Sequence, residues 1–146
     1  MHSESCVTAI RGLRTLETRM NQHSKNAKLI YNFLNKSKIV KDIIFLPDKK
    51  NKNHKLWKKY FCLSNGLITF SILKKNNISD FLDNLQIFKI GFSWGGFESL
   101  ILPINALSPV KKSSKNSVFW FRIHVGLESS SDLIKDLKKG FYEYEK

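Results

Sequence analysis

Arg122 is the residue whose type and surroundings most demand a chemical explanation. It interrupts the run Val118-Phe119-Trp120-Phe121-Arg122-Ile123, which is otherwise apolar and aromatic. A charge left unpaired in such a stretch is expensive, so the guanidinium requires an anion. Glu98 or Glu128 can supply it as an internal salt bridge, the reading that spacing alone favours, or the anion belongs to a ligand. His124 falls on the same strand face as Arg122, and a lone histidine there is more often a hydrogen-bonded structural residue than a catalyst. Upstream, Gly95-Gly96 allows a ligand to approach the backbone closely, although such a pair more often makes a tight turn. Trp94 beside it can line a pocket, but an aromatic near a turn is usually core. No nucleophile elbow and no His-Glu pair at helical spacing accompany the serines, histidines and aspartates, so hydrolase and zinc chemistry have little support.

The elements that must hold these residues follow from hydrophobic periodicity. Ile10, Leu13, Leu16, Met20, Ala27, Ile30 and Leu34 recur mostly three, four or seven apart, which predicts one long amphipathic helix over 7–35. Gly12 opposes it by about 1 kcal/mol, a penalty that packing overrides. Ile39-Val40 and Ile43-Ile44-Phe45-Leu46, ending at Pro47-Asp48, predict a short buried strand and a turn. The polar run 49–55 reads as a loop, and Leu56-Trp57 with Tyr60-Phe61 as a short helix. Residues 67–73 are β-branched and aromatic and suit a covered strand. Ser79 is placed to cap a helix through Leu85, with Asp80 in its first turn. Residues 87–92 and 118–123 are further strand candidates, with 103–116 a connecting surface loop. Ser130 or Ser131 opens a last helix that ends in lysines with Gly140 just beyond. This order predicts one α+β domain over 1–146: a small sheet with helices packed against it and a long N-terminal helix.

Composition fits that picture. The chain has 146 residues, 42% of them hydrophobic and 25% charged, as in a folded domain large enough for a core without disulfides or metals. Cys6 and Cys62 match no metal or redox spacing and read as reduced thiols. No segment reaches membrane-spanning length and the N-terminal residues lack a signal pattern, so a soluble, cytoplasmic protein is expected. The net charge of +13 invites a nucleic-acid partner. Nearly all of it is lysine, however, spread among asparagines and isoleucines whose codons are also A/T-rich. The only arginines are Arg11, Arg14, Arg19 and Arg122, and the chain gathers no forks and stacking aromatics in one place. A solvated lysine surface is therefore the better reading.

Ser93-Trp94-Gly95-Gly96-Phe97-Glu98-Ser99-Leu100 together with Arg122-Ile123-His124-Val125-Gly126-Leu127-Glu128 resembles the C-terminal domain of the trans-sulfuration (Cys/Met metabolism) family of pyridoxal-phosphate enzymes. Residues 11–23 resemble the family's long connecting helix and 132–137 its closing helix, so the likeness runs nearly end to end. Trp94 and His124 make it most similar to the bacterial cystathionine β-lyases. The resemblance implies the small domain of the fold type I enzymes. It implies that Arg122 grips the α-carboxylate of an amino-acid substrate, with the Ser93 backbone and the Trp94 indole beside it. It further implies pyridoxal phosphate as electron sink in the intact enzyme, homo-oligomers, and cleavage of the Cβ–S bond of cystathionine to homocysteine, pyruvate and ammonia.

The same resemblance places the Schiff-base lysine, the ring-stacking tyrosine and the phosphate groups on a large domain that these residues do not match. Ser113-Ser114-Lys115 is the nearest imitation of the lysine motif and falls in the predicted loop. Ser129 stands where an acidic residue is usual, and Val118 where glycine is common. The expectation is a C-terminal fragment that holds no catalytic residue and is inactive alone, either a gene remnant or one half of a split enzyme completed by a separate cofactor-domain chain. No cofactor, metal, membrane or nucleic-acid ligand is expected for this chain by itself. After mixing with pyridoxal phosphate and desalting, absorption and mass spectra should show no stoichiometric, site-specific imine. One such adduct, lost on replacing a single lysine, would overturn this.

Overall fold

A computed structural model describes residues 2–104 and 118–146. Five helices and five strands follow one another: α1 Ser3–Arg14, α2 Leu16–Lys36, β1 Val40–Ile44, α3 His54–Tyr60, β2 Leu67–Leu73, α4 Ile78–Leu82, β3 Lys89–Ile90, β4 Leu100–Pro103, β5 Val118–His124 and α5 Ser130–Glu145. The strands form one sheet in the order β1-β2-β5-β4-β3, antiparallel except for the β3–β4 pair. This is the α+β architecture expected from the residue pattern.

Alternation along the strands divides the sheet into two faces. Ile68, Phe70 and Ile72 of β2 lie opposite Ile123, Phe121 and Phe119 of β5, and Ile101 of β4 continues the first of these rows. This face meets Ala27, Ile30 and Leu34 of α2, Phe81 of α4, and Leu133, Leu137 and Phe141 of α5 in one core. Its centre is aromatic: Phe81 stacks on Phe141 at 5.1 Å and meets Phe121 edge-on at 5.2 Å, while Phe70 lies 5.4 Å from Phe121. The other face carries Thr69, Arg122 and Leu102 in one cross-strand row, with Leu67, His124 and Leu100 in the next.

The N-terminal helix is two helices. The break falls at Thr15 (φ −107°, ψ 4°), not at Gly12. Thr15 Oγ1 reaches back to the carbonyls of Arg11 and Gly12, competing with the helical ladder, and Arg19 Nη2 donates to Gly12 O at 2.7 Å. α2 buries its stripe, whereas α1 buries nothing: Val7, Ile10 and Leu13 are all exposed.

Several other elements depart from the sequence reading. β1 is an edge strand, with exposed Lys41 and Asp42 at a register irregularity where Ser71 Oγ accepts from Asp42 N–H. Of the strand predicted over 87–92, only Lys89–Ile90 pairs, because the amides of Gln86, Ile87 and Phe88 donate instead to the Asp136 carboxylate. β4 was not anticipated. Asn77, not Ser79, caps α4, its side chain accepting from Ser79 N–H. The predicted loop over 103–116 lies, from residue 105 on, outside the described residues.

Gly140 does not end the last helix, which runs on to Glu145. A Cβ at Gly140 would stand 2.8–2.9 Å from the Leu85 and Phe81 side chains, so this glycine lets α5 lie close against the α4 region. Gly140→Ala should therefore lower stability by about 1–3 kcal/mol through overpacking, despite alanine's better helix propensity. Chemical denaturation of the two chains checks the sign.

Candidate functional site

The site occupies the open face of the sheet at β5 and the loop 91–99 that crosses it. Arg122 extends from the middle of β5, flanked by Thr69 and Leu102. Its Nη2 donates to Phe92 O at 2.5 Å, and its buried Nε has no partner. The salt bridge to Glu98 or Glu128 favoured by spacing does not form. The ion pairs among the described residues are Lys135–Asp132 on α5 and Lys146–Glu143 at its C-terminal end.

Glu128 is committed elsewhere. Its two carboxylate oxygens accept from Ser99 N–H at 2.6 Å and Ser99 O–H at 2.8 Å. Ser99 Oγ in turn accepts from Gly126 N–H at 2.8 Å, and Asn26 of α2 donates to the carbonyls of Gly126 and Glu128. Gly126 is obligatory, since a Cβ would meet Phe97 O, Glu98 C and the Glu128 carboxylate. Buried Ser99 and Asn26 thus tie together the entry to β4, the exit of β5 and the connecting helix.

His124 sits one row beyond Arg122, buried against the chain at Gly66, where a Cβ would meet its ring at 2.8 Å. Its Nε2 lies 3.0 Å from Gly96 O, and Gly95 N–H points at the ring nitrogens at 3.2 and 3.4 Å. Burial is the largest influence on the ring and lowers its pKa. The hydrogen bond to Gly96 and the charge of Glu128 raise it, while His23 and Arg122 lower it, and the net shift is downward. His23 of α2 packs at 5.1 Å, its Nδ1 bonded to Val125 O and its buried Nε2 without a partner. Gly95 adopts φ 87°, the left-handed conformation that favours glycine, and the chain bends at the Gly-Gly pair.

Beside this bend opens a cleft of about 510 Å³, lined by Trp94, His124, His23, Trp57 and Phe61 among others. Trp94 therefore lines a pocket and stays exposed, 62%, so it is not core. Ser93 is exposed and adjoins Arg122 through the Phe92 carbonyl, while neither Ser93 nor Arg122 lines the cleft. The three residues predicted from sequence thus share one loop and the strand beneath it. Sequence reasoning missed His23, Asn26, Ser99 and the true role of Glu128. A signal existed for His23: it falls four before Ala27 and eleven before Leu34, on the buried stripe of α2.

A family model described as Cys/Met metabolism PLP-dependent enzyme matches residues 1–142. The chain belongs to this family. It is 37% identical over 139 residues to the cystathionine beta-lyase of Escherichia coli K12, covering 90% of this chain and 35% of that protein. An L-alanine/L-glutamate racemase of Wolbachia pipientis is 38% identical over 143 residues, covering 94% of this chain and 35% of the racemase. Among solved structures, a cystathionine gamma-lyase from Lactobacillus plantarum complexed with L-serine superposes with a TM-score of 0.80 at 27% identity, covering 92% of this chain and 37% of the lyase. A cystathionine gamma synthase from Xanthomonas oryzae in complex with cystathionine gives the same values. The chain thus spans about a third of the length of the relatives it matches.

The family is pyridoxal-phosphate-dependent, and an internal aldimine requires a lysine amine in the site. Every described lysine is exposed, and no lysine lines the cleft beside Trp94. The described residues do not fit an internal aldimine.

The Ser99–Glu128 contact is what fixes loop 91–99 against β5. Glu128→Gln keeps the shape but turns an N–H₂ toward the Ser99 hydroxyl, which then lacks an acceptor. It should destabilise the chain by about 1–3 kcal/mol, measured by urea unfolding.

Proposed function

We propose that these 146 residues are the substrate-carboxylate domain of a cystathionine β-lyase-like carbon–sulfur lyase, which in intact form converts cystathionine to homocysteine, pyruvate and ammonia. The observation that carries this reading is the state of Arg122. It stands on the open sheet face with a buried, unpartnered Nε and no carboxylate partner among the described residues. Such a group, bonded among the described residues to a neutral carbonyl, is suited to take an anion from outside.

An α-amino acid carboxylate suits it well. The relatives' names specify cystathionine in one case and alanine and glutamate in another, and the α-carboxylate is what these substrates have in common. In this reading Arg122 binds that carboxylate. The Ser93 backbone and the Trp94 indole, presented by the loop that Arg122 itself holds through Phe92 O, complete the site. Trp94 lines an apolar, ring-rich cleft that, in this reading, would receive the rest of the substrate.

The domain does not catalyse by itself, because the electron sink has to come from a cofactor domain outside these residues, joined to them or supplied as a second chain. With that domain added, cystathionine cleavage should appear in the mixture and in neither part alone. Arg122→Lys should then raise KM steeply, since an ammonium cannot reproduce two parallel hydrogen bonds; the expected loss is about 2–5 kcal/mol. An inactive mixture, in an assay where an intact relative is active, removes the split-enzyme reading. Activity indifferent to Arg122→Lys removes the carboxylate assignment.

A further inference from the structure

The cleft ends where Arg122 begins, and one hydroxyl stands at that junction. Thr69 lies directly opposite Arg122 on the open sheet face, in the cross-strand row Ile44, Thr69, Arg122, Leu102. Arg122 thus has buried, apolar Leu102 on one side and a polar residue on the other. Side chains paired in this way have Cβ atoms about 4.5–5.5 Å apart, close enough for both to touch one small anion. Ile44 and Thr69 are the members of the row that line the cleft, and Thr69 is the one next to Arg122. On β5, His124 lines the cleft and Arg122, the next residue on that face, does not. Thr69 is therefore the residue through which the cleft and the guanidinium meet.

The Thr69 hydroxyl is uncommitted and its position is fixed. It forms no hydrogen bond among the described residues, and the residue is half-buried on a cleft floor where its flanking side chains, Ile44 and Leu67, are apolar. Its chain neighbours Ile68 and Phe70 are locked in the core beneath, at 1% and 0% exposure. A β-branched side chain on such a backbone has few χ1 choices.

We propose that Thr69 is a substrate-binding residue whose hydroxyl donates to the carboxylate that Arg122 holds. The proposal deepens the carboxylate reading given above and rests on it. A carboxylate has about four lone-pair sites, of which a guanidinium fork fills two at most. Here the fork is already drawn on, because Nη2 also donates to Phe92 O. The remaining sites need other donors, and Thr69 is the residue beside Arg122 in its row that can supply one from a side chain. Ser93 and Trp94 belong to the loop, whereas Thr69 belongs to the sheet, so the anion is held between two elements. The part of the ligand beyond the carboxylate then starts at the end of the apolar cleft.

The test needs no cofactor. The ¹⁵N-labelled chain is titrated with S-benzyl-L-cysteine, whose ring suits the cleft, and with its carboxamide, following the Trp94 indole signal. Thr69→Val keeps the shape and the strand preference but removes the hydroxyl. It should weaken the acid about tenfold and the carboxamide distinctly less, because the bond lost to a charged oxygen is the stronger one. Thr69→Ser, which restores a hydroxyl, should recover binding of the acid. Arg122→Lys is the control for the underlying reading and should weaken the acid as well. If Arg122→Lys weakens it and Thr69→Val does not, or if Thr69→Val weakens acid and carboxamide alike, the assignment to Thr69 is wrong and the carboxylate reading stands. If Arg122→Lys has no effect, the carboxylate reading fails and this assignment with it. Absence of saturable binding to the unaltered chain also overturns the assignment.

Discussion

The carboxylate of Glu128 is the anchor on which the arrangement of this face depends. Both of its oxygens are spent on one serine, and that serine's hydroxyl also receives the amide of Gly126. In this half-buried setting the carboxylate needs no counter-ion, since N–H and O–H donors satisfy its charge directly. Asn26 adds α2 to the same knot through two backbone carbonyls. Three stretches distant in sequence are held in one register, and loop 91–99 inherits its position from it. Glu128, one of the two internal partners open to Arg122, is thereby occupied, and Arg122 forms no ion pair among the described residues.

The sheet has a division of labour that follows from strand alternation. Neighbours one residue apart on β5 serve opposite purposes: Phe121 and Ile123 lie in the aromatic core, whereas Arg122 and His124 hold loop backbone on the other side. A core of stacked phenyl rings beneath the strand restricts its movement, so the polar side chains above it work from a firm base. Asp136 does the same for the edge strand β3, gathering the three consecutive amides of Gln86, Ile87 and Phe88 on one carboxylate and delaying the strand's start to Lys89.

Much of this was legible in the residues. The buried half of the α2 stripe and strands 67–73 and 118–123 announce themselves by period and residue type, and the serines before Leu133 mark the start of α5, although its N-cap is Ser129 and makes no side-chain cap bond. The segments that carry the site are legible too, because an arginine in an apolar strand and a Gly-Gly pair are local anomalies. What could not be read were consequences of contacts distant in sequence. Leu100–Pro103 is four residues long and fully apolar before its proline, too short for a period to show. Gly140 has the signature of a helix stop, and only the presence of Phe81 and Leu85 across from it gives it another purpose. Thr15 broke a helix that Gly12 was expected to strain, through a hydroxyl bonded one turn back. The partner of Glu128 is a serine 29 residues away, which spacing rules for ion pairs do not consider.

The pairing of β2 with β5 has a consequence for how the chain acquires this structure. The two strands form the centre of the sheet, yet about fifty residues separate each partner from the other. No hairpin turn can nucleate that ladder, and the intervening segment has to be gathered before the first of its bonds forms. The β1–β2 and β4–β5 pairs close shorter loops, whereas β2 waits with one edge unpaired until β5 arrives. High contact order of this kind slows folding toward the millisecond-to-second range and leaves the Leu67–Leu73 edge open to intermolecular pairing in the interval. The strand that carries Arg122 is therefore also the one whose late docking completes the sheet.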